Sequence, residues 1–188
     1  MPNVESSVLF DDGEPTAVFS PDRVYRYQLR RHWGHTPQSE AALKLRGVHA
    51  KYHMLGWLML NPSTADETVE DPTIRRCISF ARLWGYAGIE VYNLFALRST
   101  DPRALKHHPD PVGPENNEWI IQAQIRCETL VCAWGNHGDL HGRAKFVIDR
   151  LFEKRERIGV LELTGKGHPR HPLYVKGDTI LKECPWPW

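Results

Sequence analysis

The residues best suited to chemistry lie in short polar segments. Near the C-terminus, His168-Pro169-Arg170-His171-Pro172-Leu173-Tyr174 holds two imidazoles, each followed by proline. Proline narrows the conformations open to the chain, so such a loop can hold a ring in one orientation at little entropic cost. Upstream, Asn61-Pro62-Ser63 precedes two carboxylates, Asp66 and Asp71. Asp66 or Asp71 can act as a base or as a contact to a bound group, and residue types alone do not choose between them. Asn93 adds an amide that can both donate and accept hydrogen bonds. Each feature also has a plain structural role: Asn61-Pro62-Ser63 as a turn, Asp71 as a helix cap, Asn93 as a strand-end tie, and His137 and His141 as loop residues.

What joins these segments is their position after apolar runs. Residues 53–60 and 130–134 are nearly continuous apolar stretches, as expected of strands covered on both faces, and 88–94 and 159–163 follow the same style. Residues 24–33 alternate aromatic or apolar with basic side chains, the period-two signature of a strand with one wet face. Asp71-Pro72-Thr73 predicts a helix start, with the helix running to Trp84 before Gly85. Further helices are expected as a short turn from Asp101, then over 113–127, 142–154 and 178–183. Alternating strands and helices imply right-handed crossovers and a mostly parallel sheet, hence a three-layer α/β/α fold. Ligands of such sheets bind beyond the carboxyl ends of the strands. The polar segments should therefore meet at one cleft.

The 188 residues suit a single α/β domain: a lead over 1–52 with an added strand, a body over 53–183 and a tail over 184–188. A 41% hydrophobic and 25% charged composition excludes disorder, and 14 Gly with 14 Pro predicts defined loops. No leader or membrane span is legible, which places the chain in the cytoplasm. Cys77, Cys127, Cys132 and Cys184 form no C-x-x-C pair and are read as thiols. Ten histidines invite a metal, yet no recognised ligand spacing appears, so no metal and no cofactor is expected.

Leu58-Met59-Leu60-Asn61-Pro62-Ser63-Thr64-Ala65-Asp66, Asp71-Pro72-Thr73-Ile74-Arg75-Arg76, Tyr92-Asn93-Leu94-Phe95-Ala96 and Arg170-His171-Pro172-Leu173-Tyr174 together resemble a bacterial and phage family of domains of unknown function. The order of the loops is also similar to the uracil-DNA glycosylase superfamily. That resemblance implies a uracil-DNA glycosylase-like fold and hydrolysis of the N-glycosidic bond of a base flipped out of DNA. Asn61 would then orient the attacking water with the help of Pro62, and His171 would stabilise the departing base, with His168 as the fallback. Asp66 would join them in catalysis, and Ser63, Asp71 and Asn93 would line the base pocket. Phe95 and Trp134 are the stacking candidates. Arg75, Arg98 and Arg170 would meet phosphates, and Leu173 would wedge into the duplex.

Met59 stands where the superfamily carries glycine, two positions ahead of the Asn, which points away from its uracil-excising members. The acidic stretch 66–71 suggests a larger or more polar base, such as a modified pyrimidine. A net charge of +1 is compatible with a basic rim around an acidic pocket on a monomer that binds duplex DNA. Two other classes share these residues: a hydrolase or transferase of free nucleosides or nucleotides, and a non-catalytic module that reads a modified base.

Overall fold

The computed structural model describes residues 16–34, 41, 44–45, 53–63, 70–152 and 157–185. Its elements are β1 (Thr16–Phe19), β2 (Arg26–His32), β3 (Met54–Met59), α1 (Pro72–Leu83), β4 (Gly88–Asn93), α2 (Ala104–His107), α3 (Asn116–Arg126), β5 (Thr129–Cys132), α4 (Arg143–Phe146), β6 (Ile158–Val160) and β7 (Lys182–Glu183). The seven strands form one sheet in the order β1-β2-β4-β3-β5-β6-β7. The four central strands β4-β3-β5-β6 are parallel, whereas β1, β2 and β7 add antiparallel edges. The seven-stranded mixed α/β architecture, parallel at its centre, matches the expected class.

Alternation along the strands divides the core in two. Leu55, Trp57, Met59, Ile89, Val91 and Val131 pack against Ile74, Cys77 and Phe80 of α1. Met54, Leu58, Tyr92, Leu130 and Cys132 face the other way, onto Ile120 and Ala123 of α3 and Ala144 of α4. Helices thus cover both faces, which is why β3 is buried along its whole length. The parallel strands run out from β3 in both directions, to β4 on one side and to β5 and β6 on the other. This reversal opens a crevice at the carboxyl ends of β3 and β5.

The structure corrects several expectations. The polar face of β2 is not wet: Arg26, Gln28 and Arg30 are buried, and for Gln28 and Arg30 a carboxylate waits on the neighbouring strand. Glu90 receives the Arg126 guanidinium at 2.9 and 3.0 Å, Gln28 Nε2 at 2.9 Å and the Tyr92 hydroxyl, with Arg30 Nε at 3.8 Å. Residues 182–183 form a strand instead of a helix, since the open edge of β6 offers Gly159 and Val160 as pairing partners. The helix expected over 142–154 gives way after Phe146 to one wide turn, Val147–Leu151. Strand β1, too short and mixed to stand out in sequence, is added by pairing with β2.

Glu90 is 2% exposed and serves two guanidinium groups. Glu90→Ala removes the buried carboxylate that both cations face, and urea denaturation is expected to show a loss of about 3–5 kcal/mol.

Candidate functional site

The crevice is built by the loops that leave β3, β4, β5 and β6. The β3 loop is zipped to the β4 loop by Leu94 N–H to Met59 O (2.8 Å), Phe95 N–H to Leu60 O (2.9 Å) and Ser99 N–H to Pro62 O (2.9 Å). Within that frame the Asn61 side-chain nitrogen donates to Ser99 O at 2.9 Å and to Pro62 O at 3.1 Å. Both amide hydrogens are spent. Among the described residues Oδ1 has no hydrogen bond, so the group that Asn61 offers is an acceptor.

Asp71 links this loop to the helix below it. Its Oδ1 accepts from Ile74 N at 2.9 Å, the cap of α1, and its Oδ2 accepts from Ser63 Oγ at 2.5 Å. The β6 loop arrives from the other side. Arg76, one turn into α1, donates to Pro172 O at 3.4 Å and to Val175 O at 2.5 Å and clamps the turn Pro172–Tyr174. His171 sits at the head of that turn, near enough to Asp71 to feel its charge. Its Nδ1 accepts from Leu173 N at 3.4 Å, which leaves Nε2 to carry the proton of the neutral ring. Burial pulls the His171 pKa below its ordinary value of 6.5, and the negative charge of Asp71 opposes only part of that shift. The arrangement therefore holds an imidazole whose lowered pKa favours the neutral form, with a donor to offer, within reach of the Asp71 charge, and an amide acceptor on the loop that Ser63 ties to Asp71.

His168 is placed differently. It is buried, its Nε2 stands 3.1 Å from Asp139 Oδ2, and the backbone around it is tied to the turn after β5 by Gly135 N–H to Pro169 O at 2.8 Å. Asn93 lies at the end of β4 beside Met59, 1% exposed, with its carbonyl accepting from Asn116 Nδ2 at 3.0 Å. Its own Nδ2 is buried without a hydrogen-bond partner among the described residues.

The sequence profile of the family described as "Protein of unknown function (DUF1643)" matches residues 26–173. The chain belongs to this family. It matches none of the curated proteins and none of the solved structures with which it was compared.

Across the DUF1643 match, Asn61, Pro62, Ser63, Asp71 and His171 come together, whereas Asp66 lies outside the described residues. Phe95 and Trp134 require a correction as stacking platforms. They are 0% and 2% exposed, turned into the core beneath the loops, where packing consumes their ring faces. Arg75 is exposed and donates to Glu70 O at 2.7 Å, and Arg170 Nε stands 3.7 Å from Glu162. Arg98 donates to Arg23 O at 3.1 Å and lies over the Phe19 ring at 4.8 Å. Arg98 and Ser63 line one open groove of about 460 Å³ with Arg23 and Thr100. Leu173 is 43% exposed at the tip of the β6 loop.

Two contributors were not legible beforehand. Ser99 acts through a backbone carbonyl, which no residue type advertises. Arg76 sat in the sequence as one of a pair of surface cations, and only the folded loop shows that it holds Pro172 and Val175. No group of three or more His, Cys, Asp or Glu side chains among the described residues is arranged to hold a metal ion.

Asp71→Ala should remove the cap and the Ser63 tie together and cost about 0.5–2 kcal/mol for the cap alone. For His171 the folded pKa lies below the unfolded one, so the unfolded chain binds the proton first. Its contribution to stability is present above pH 6.5 and is lost as pH falls toward the folded pKa. His171→Gln should therefore flatten the fall in stability just below pH 6.5, as read from denaturation midpoints across pH.

Proposed function

We propose that the chain is a hydrolase of the DNA glycosylase kind, with a uracil-DNA glycosylase-like fold, that cleaves the N-glycosidic bond of a flipped, modified base. The observation that carries this reading is the His171 imidazole, its pKa lowered by burial, within the field of Asp71, which is tied through Ser63 to the loop whose Asn61 amide is locked to present its oxygen. N-glycosidic cleavage passes through a sugar with oxocarbenium character and releases a base bearing negative charge. Few groups are needed: an acceptor to orient water, a negative charge near the sugar and a donor to the base.

Asn61 Oδ1 supplies the acceptor, with its orientation fixed by the Ser99 and Pro62 carbonyls. Asp71 has both oxygens engaged, by Ile74 N–H and Ser63 Oγ, which suits a fixed negative charge better than a mobile base. The role of base to the water then falls to Asp66. His171 Nε2–H is the donor to the leaving base. Its lowered pKa supports a neutral donor, which gives up no proton and strengthens its hydrogen bond as charge builds on the base. His168, drawn onto Asp139, is better suited to holding the loop. Asn93, buried with an unspent Nδ2, is the residue to read a carbonyl on the base edge. The exposed Leu173 and the basic groove at Arg98 suit a duplex from which one nucleotide is extruded.

Duplexes carrying uracil, hydroxymethylated or glycosylated pyrimidines, incubated with the protein in EDTA, should yield alkali-labile abasic sites from one class of base. Asn61→Ala and His171→Ala should each slow release roughly a hundred- to thousand-fold, the scale of removing one transition-state hydrogen bond. Base release from free nucleosides, unaffected by added duplex, would instead assign the chain to small-molecule hydrolases.

A further inference from the structure

A second cleft, of about 380 Å³, lies between residues 102–106, at the start of α2, and the turn that follows β5. Its polar walls are Arg103, Lys106, Asn136, His137 and Asp139. The donors and acceptors are unevenly distributed among them. Arg103 uses Nε on both Asp101 oxygens, each at 3.0 Å, and among the described residues its terminal nitrogens have no hydrogen-bond partner. Lys106 and His137 are exposed and likewise have none there. Asn136 accepts from Thr164 Oγ1 at 2.6 Å through Oδ1, so the group it has left to offer is its NH2. Asp139, the one acid in the walls, stands 3.1 Å from His168 Nε2. The cleft therefore presents the terminal nitrogens of Arg103, the Lys106 ammonium, His137 and the Asn136 NH2 as donors, with one carboxylate, Asp139, turned to His168.

Both walls continue the loops of the candidate site. Asn61 donates to Ser99 O, Ser99 Oγ donates to Asp101 O at 2.9 Å, and Asp101 holds Arg103. On the opposite wall, Gly135 N–H bonds Pro169 O, two residues before His171. Both walls of the cleft are thus joined by hydrogen bonds to the loops that carry Asn61 and His171.

We propose that this cleft binds a backbone phosphate of the DNA strand whose base enters the neighbouring site, with Arg103 and Lys106 as its principal contacts. The inference rests on the glycosylase reading and adds where the strand is gripped. A tetrahedral oxyanion matches a guanidinium, an ammonium and two N–H donors, and the volume admits the sugar attached to it. A strand lying across the carboxyl edge of the sheet would place one phosphate here while the extruded base reaches Ser63, Asp71 and His171.

The test is fluorescence anisotropy of a labelled duplex titrated at several salt concentrations, with wild type and the double variant Arg103→Glu, Lys106→Glu. The variant should bind at least tenfold more weakly, and its plot of log affinity against log salt should be shallower by about 2, one unit for each phosphate-contacting cation lost. Arg103→Gln with Lys106→Gln, checked for native circular dichroism, should show the same loss of slope if the reversed charges disturb folding. Unchanged affinity and slope in both variants would overturn the proposal. So would a wild type that binds inorganic phosphate or a nucleoside monophosphate but no duplex. DNA binding that is lost in the variants, from a wild type that releases no base, would uphold the cleft and refute the glycosylase reading. Base release with variant affinity intact would do the reverse.

Discussion

The Asp71 carboxylate ties together parts of the chain that are distant in sequence. One oxygen caps α1 and the other takes the hydroxyl of Ser63, and its charge reaches the imidazole of His171, 100 residues further on. A cap is a local device, settled within one helical turn. Here the same group also fixes the end of the β3 loop and sets the field at the head of the β6 loop. The site is consequently no more rigid than the first turn of α1, and Arg76 on the next turn completes the clamp by holding the carbonyls of Pro172 and Val175.

The sheet makes this convergence possible. Parallel strands need crossover helices, which put every β-to-α connection at one edge, and the reversal of order at β3 leaves a gap between the loops. The antiparallel strand β2 is bound to that parallel core through Glu90, whose buried charge is matched by guanidinium groups from β2 and α3. Such a pair contributes little net stability over an apolar pair but is costly to break, so it fixes which strand lies beside β4. Asn116 and Arg143 both donate to Leu94 O, by Nδ2 at 3.0 Å and Nε at 2.7 Å, and secure α3 and α4 to the end of the same strand.

Much of this frame could be read from residue types, and the exceptions share a cause. The apolar runs of β3 and β5 and the Asp71-Pro72 start of α1 are local signals, and they appear where expected. Residues 26–32 carry an equally local period-two pattern, which gave the strand but not the environment of its polar face. The carboxylate that buries Arg30 lies 60 positions away. Strand β7 exists because β6 has an open edge, a property of the sheet and not of Lys182 or Glu183. In the site, Asn61, Asp71 and His171 stood out by type and spacing, whereas Ser99 contributes a carbonyl and Arg76 a clamp that depends on the final fold. Phe95 and Trp134 looked available because they end strands, yet burial is decided by what the loops above them cover.

The most direct test of the shared site is the titration of His171, followed by NMR in the wild type and in Asp71→Asn. If burial lowers its pKa and the Asp71 charge partly restores it, then removing that charge while keeping the shape must lower the pKa further. Coupling of the two groups across one crevice predicts that downward shift in the Asn variant. An unchanged His171 titration, or one that moves upward, would mean that the α1 cap and the β6 loop do not form a single site.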